Sequence, residues 1–177
     1  MKNRNVTNLV KASLFLALAI VFQVVGKTLP GISQFFVGPA VNAILILTAA
    51  ICGGGYGVLV ASLTPLLAWL TGQLASVLGP FLPFIIIGNI IFVLSFVILN
   101  KRGKYGEHLG VITGAFIKYI FLSISASKLI PLFNLNMPPK IVNKLVITMG
   151  SPQLITALIG GAFALILIEI LTKRRIL

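Results

Sequence analysis

Apolar residues fill this chain in six long blocks, each closed by glycines, prolines, serines or basic residues. The blocks lie at roughly Leu9–Gly26, Phe36–Cys52, Tyr56–Gly72, Val77–Asn100, Leu109–Ser127 and Ser151–Leu171. From Thr28 to Asn100 there is no Asp, Glu, Lys or Arg, and a second uncharged run extends from Leu145 to Ile168. A helix that crosses a bilayer needs about 20 mainly apolar residues, so the first run alone holds three crossings. The pattern predicts an all-α integral membrane protein: one domain, residues 1–177, with six transmembrane helices in a compact bundle.

The breaks between blocks carry their own information. Gly53-Gly54-Gly55 is short enough only for a tight turn between antiparallel helices. Pro80 and Pro83 fall in the first turns of the fourth block, where a missing N–H does least harm. The fifth connection, Lys128 to Gly150, is long, and within it Ile141, Val142, Leu145, Val146 and Met149 recur at helical spacing, with Asn143, Lys144 and Thr148 on other faces. That spacing fits a short helix in the membrane interface, or an early start of the last span kinked near Pro152.

Composition agrees with the pattern. Of 177 residues, 58% are hydrophobic and 9% charged, against about 25% charged in an ordinary soluble domain. The net charge of +12 sits at the ends of apolar blocks and forms no basic stripe interleaved with aromatics, so it indicates contact with lipid head groups and not with nucleic acid. With six spans, one side receives Lys2, Arg4, Lys11, Lys101, Arg102, Lys104, Lys173, Arg174 and Arg175, and the other Lys27, Lys128, Lys140 and Lys144. Nine against four places both termini in the cytoplasm. The basic start resembles a leader peptide, but its apolar run continues to Gly26 with no small-x-small cleavage site, which predicts a retained first helix.

Reactive groups are scarce. There is no Asp; Glu107 and Glu169 are the only acids, His108 the only histidine and Cys52 the only cysteine. The acids and the histidine fall near the cytoplasmic face. Carboxylate clusters that would hold Mg²⁺ are missing, and His108 lacks a nucleophile signature beside it, so neither an enzyme, nor a metal site, nor a cofactor is expected. No intramembrane carboxylate is present to couple transport to protons or Na⁺.

Polar groups nevertheless lie inside the apolar blocks, toward one side: Asn42, Trp69 with Gln73 just beyond, Asn89, Lys118 with Tyr119, and Gln153 with Thr156. This one-sided distribution predicts a pocket opening to the exterior. Lys118 stands about ten residues into an otherwise uncharged span, where a lysine costs roughly 2.5–3.5 kcal/mol on insertion scales. It either snorkels to the interface or faces the interior to meet an anionic or carbonyl group. Asn42, Asn89 and Gln153 are interhelical hydrogen-bonding residues or ligand contacts, and Trp69 belongs to an interfacial belt or stacks on a ring. Small residues at four-residue spacing, Ser13 with Ala17 and Gly110 with Gly114, permit close helix approach.

The six-helix plan, the basic start leading into "KASLFLALAIVFQ", the long first connection and "SPQLITALIGGAFAL" opening the last span together resemble the substrate-binding S components of energy-coupling factor (ECF) vitamin transporters. The resemblance covers the whole chain. It implies a plasma-membrane subunit that binds a vitamin or similar micronutrient from outside and works with a transmembrane coupling subunit and two ATPases. It implies a pocket from the outer halves of spans four to six and the first outer connection: Asn89, Lys118, Tyr119 and Gln153, with Gln34 on a lid. The family docks its coupling subunit through Ala-x-x-x-Ala on the first helix; here Ala12 is followed by Leu16, and Ser13 with Ala17 is the nearest match. Two rival readings remain: an ATP-independent channel or facilitator, and a structural subunit without a ligand.

Overall fold

The computed structural model describes residues 2–28, 33–103, 105–132 and 137–174, and every regular element among them is helical. Six principal helices form a bundle: α1 (Lys2–Lys27), α2 (Ser33–Cys52), α3 (Gly54–Leu70), α4 (Leu82–Leu99), α5 (Gly106–Ile124) and α8 (Ser151–Lys173). A 3₁₀ segment, Ser76–Phe81, leads into α4; a π-helical turn, Ser125–Leu129, and the single turn α6 (Ile130–Leu132) extend α5; and α7 (Pro139–Thr148) precedes α8.

Five stretches are long and apolar enough to cross a bilayer: Arg4–Lys27, Ser33–Cys52, Ser76–Leu99, Gly106–Leu129 and Pro139–Lys173. α3, at 17 residues, rises about 25 Å and falls a little short of the roughly 30 Å hydrocarbon core. The expected fourth span divides where its prolines sit. Pro80 lies inside the 3₁₀ segment, and Pro83 occupies the first turn of α4, where its missing N–H has no intrahelical partner in any case.

α2 is the central helix, packed against α1, α3, α4 and α8, while α5 closes the far side against α4 and α8. Two close approaches make this possible. A Cβ added at Gly160 of α8 would collide with the Pro39 carbonyl oxygen of α2 and stand 2.7 Å from Asn42 Cβ. On α5, a Cβ at Gly110 would stand 2.8 Å from Phe96 Cα, and one at Gly114 3.0 Å from the Phe92 carbonyl oxygen. The Gly110/Gly114 pair therefore serves packing within the bundle, against α4. Near the termini the interior is solid: Leu45, Ile46, Val60, Phe92, Val93 and Phe96 are fully or almost fully buried in one continuous cluster.

α1 is the least embedded helix. Ala12 and Ala19 are buried against the bundle, but Val6, Val10, Leu14, Leu18 and Val21 are exposed, and Ser13 and Ala17 lie on that same outward side. The long fifth connection resolves into a separate helix, α7, parted from α8 at Met149–Gly150. Its amphipathic spacing has a protein partner: Leu145 and Met149 insert into a second cluster with Phe81, Leu122, Ala126 and Ile130.

Candidate functional site

Where α7 caps the bundle, the interior opens into a cavity of about 370 Å³. Its wall is aliphatic, including Val37, Val41, Pro65, Leu74, Val77, Leu78, Ile85, Leu145 and Met149. Its polar lining comes from all six principal helices and from α7: Gln23, Gln34, Asn42, Thr64, Asn89, Lys118, Thr148 and Gln153, with Lys144 at the exposed side of α7. Two lysines line it and no carboxylate does among the described residues.

Lys118 is 3% exposed; it faces the bundle interior and does not snorkel. Its Nζ donates to Asn42 Oδ1 at 2.7 Å and stands 5.4 Å from the centroid of the Phe92 ring, within range of a cation–π attraction. Asn42 is itself held, since its Nδ2 donates to the Gly38 carbonyl at 2.9 Å. That carbonyl only accepts, which turns Oδ1 toward the lysine. The ammonium carries three N–H donors, and among the described residues one protein acceptor is placed on it.

Asn89 has a structural reason for its place. Pro65 interrupts the α3 ladder, having no N–H for the Ala61 carbonyl one turn earlier, and Asn89 Nδ2 points at that oxygen from 3.5 Å, the long limit of such a contact. Gln34 reaches across the cavity mouth: its Nε2 donates to the Thr148 carbonyl at 2.9 Å, tying the start of α2 to the end of α7. Gln153 sits beside this junction, 3.6 Å from Met149 Sδ.

The remaining expected residues fall elsewhere. Trp69 does not line the cavity. It is 37% exposed, donates its indole N–H to the Ser76 carbonyl at 3.1 Å, and lies against Gly79. Its role is to brace the 3₁₀ segment, which explains why a tryptophan near a helix end read as a stacking platform. Tyr119 neighbours Lys118 in sequence, but one residue turns a helix by about 100°, so it too lies off the cavity. Ser13 turns its hydroxyl back to the Leu9 carbonyl at 2.9 Å, leaving a smooth exposed surface with Ala17.

Two contributors escaped the sequence reading. α7 forms a wall of the cavity through Ile141, Lys144, Leu145, Thr148 and Met149; its apolar spacing fitted an interfacial helix or an early start of the last span, and only the tertiary fold shows what it covers. Gln23, on α1, is 2% exposed, lines the cavity and donates from Nε2 to the Thr64 carbonyl at 3.2 Å. A second concavity lies at the opposite end, between α5 and α8. Glu107, His108 and Glu169 share it, and Glu169 pairs with Lys173 at 2.7 Å. It is an open surface groove with apolar walls. Among the described residues no group of three or more His, Cys, Asp or Glu could hold a metal ion.

Comparison with known proteins gives one result that covers nearly the whole chain. No curated protein and no solved structure matches. A family model described as "ECF transporter, substrate-specific component" matches residues 7–172, and the chain belongs to that family of transporter subunits.

Proposed function

We propose that this subunit captures a small micronutrient, a vitamin or cofactor precursor, in the cavity beneath α7, and that it does so from outside the cell. In this reading all six principal helices cross the plasma membrane and both termini are cytoplasmic, as the distribution of basic residues favours. Energy for release inward comes from a transmembrane coupling subunit and two ATPases, with Ser13 and Ala17 on the docking face of α1. The subunit itself is no enzyme.

The observation that carries the proposal is Lys118: an ammonium held inside a cavity, oriented by Asn42 and Phe92, with no carboxylate beside it. A charge removed from water needs compensation. A solute carboxylate, phosphate or polarised carbonyl supplies it, while Asn89, Asn42, Gln153 and Gln34 offer hydrogen bonds around the same space. The aliphatic wall provides the apolar contact usual in small-molecule sites.

Purified protein in detergent is expected to bind its solute tightly without ATP, as read by native mass spectrometry and thermal shift. Lys118→Ala is expected to weaken binding at least roughly tenfold, about 1.4 kcal/mol. Unchanged affinity in that variant would remove the lysine from the site. The rival reading, a channel working alone, would require solute uptake into liposomes that contain only this chain. The packed interior near the termini argues against that outcome.

A further inference from the structure

Gln23 presents a buried polar atom that the protein leaves unanswered. Its Oε1 is covered from water and has no hydrogen-bond partner among the described residues, although the side chain lines the cavity. The amide cannot be turned around to relieve this. Nε2 faces the Thr64 carbonyl at 3.2 Å, and a carbonyl only accepts, so exchanging the two ends would set oxygen against oxygen. The Thr64 hydroxyl does not fill the vacancy, because it donates to the Val60 carbonyl at 2.6 Å. Buried acceptors in native proteins are almost always paired. Because Oε1 is covered while the cavity is empty, a small turn of the Gln23 side chain on solute entry is what brings this acceptor to its donor.

The same cavity holds the opposite mismatch. Lys118 has donors in excess, with Asn42 Oδ1 as its hydrogen-bond acceptor. One site thus offers surplus donors on a cation, from α5, and a surplus acceptor, from α1. A simple anion answers only the first.

We infer that Gln23 is a ligand-binding residue: its Oε1 accepts a hydrogen bond from an N–H or O–H of the same solute whose anionic or carbonyl group engages Lys118. The solute class is accordingly a small acid or acyl compound that also carries an amide, ureido or hydroxyl donor on an apolar body suited to the aliphatic wall. This rests on the capture function proposed above and adds to it α1, the helix whose other side carries Ser13 and Ala17. α1 thereby has one face on the solute and one face outward.

The test uses the full chain in detergent, with pantothenate, biotin, riboflavin and folate as titrants in calorimetry, beside native mass spectrometry of the untreated protein. Gln23→Met, close in volume but without the amide, is compared with the native chain and with Lys118→Ala. The expected result is that the solute bound by the native chain loses at least tenfold in affinity in Gln23→Met, with the ligand-free thermal midpoint shifted by no more than a few degrees. Should Gln23→Met fail to fold, Gln23→Leu, which also lacks the amide and adds no charge beside Lys118, replaces it. A loss of tenfold or more in Gln23→Leu supports the acceptor role, and affinity retained within a few-fold overturns it. Unchanged affinity in Gln23→Met, with binding lost in Lys118→Ala, would overturn the Gln23 assignment and leave the capture function standing. No binding of any of the four titrants, and no co-purified solute, would overturn both.

Discussion

The two ends of this bundle are built from the same helices and differ in almost every physical respect. Toward the termini, Phe92, Phe96, Leu45 and Val93 are buried in one continuous cluster, and Gly110 and Gly114 let α5 lie directly on α4. Toward α7, the interior is a cavity of about 370 Å³ into which Gln23, Asn42, Asn89 and Lys118 face. Lipid supplies no hydrophobic drive for helix association, which rests on packing and on interhelical hydrogen bonds. The solid end uses the first and the hollow end leans on the second. A protein that only had to be stable in a bilayer would have no reason to keep an ammonium group in its hollow half. Under the proposed capture function, the contrast gives stability to one end and recognition to the other.

The sharpest break of that division would come from the solid end. Phe96 is fully buried there, and Phe96→Ala leaves a void that helices pinned at Gly110 and Gly114 cannot close. A loss of about 3–5 kcal/mol of stability is expected, seen as a large drop in the thermal midpoint in detergent. Affinity measured on the surviving folded protein should stay the same, and a parallel fall in affinity would contradict the division. Gly160→Ala follows in size. Its new methyl would meet the Pro39 carbonyl and Asn42 Cβ, and overpacking of this kind costs about 1–3 kcal/mol. Because Asn42 is one of the atoms pushed, this variant should lower both thermal stability and solute affinity, which makes it the one expected link between the ends.

Asn42→Leu tests the hollow end alone. It removes the Lys118 acceptor and leaves a buried ammonium with less compensation, a change of about 1–3 kcal/mol. Without solute the thermal midpoint should fall, and saturating solute should restore more of it than in the native chain if the solute meets the freed donor. Equal ligand-induced shifts in both proteins would show that the solute does not meet the donor that Asn42 releases.

The solid end was readable from the chain almost in full, because it depends on where apolar blocks start and stop and on glycines at four-residue spacing. The hollow end was readable only where a residue was anomalous by itself. Lys118 stood out as a charge in an uncharged span, and Asn42, Asn89 and Gln153 as amides among aliphatics. Gln23 had the same chemistry, yet it sits four residues before Lys27 at the end of α1, where a polar side chain looks like an ordinary helix boundary. Trp69 and Tyr119 erred the other way: their residue type suited a ring-stacking role, and helix phase and the local turn at Ser76 took them elsewhere. The amphipathic spacing of α7 was plain, but whether lipid or protein receives its apolar face depends on Phe81 and Leu122, far away in sequence.

The smallest effect concerns the cover over the hollow end. α7 is held down by Leu145 and Met149 in their apolar cluster and by one hydrogen bond from Gln34 to the Thr148 carbonyl. Interhelical hydrogen bonds in membrane proteins average about 0.6 kcal/mol, so Gln34→Ala should barely move the thermal midpoint. If α7 must lift for solute to pass, that loss falls on the closed state, and the solute should leave faster by roughly threefold with little change in its rate of entry. Stopped-flow dissociation reads this directly. An unaltered release rate in Gln34→Ala, set beside a faster one in Leu145→Ala, would place the closing force in the apolar cluster alone and reduce Gln34 to a mouth residue.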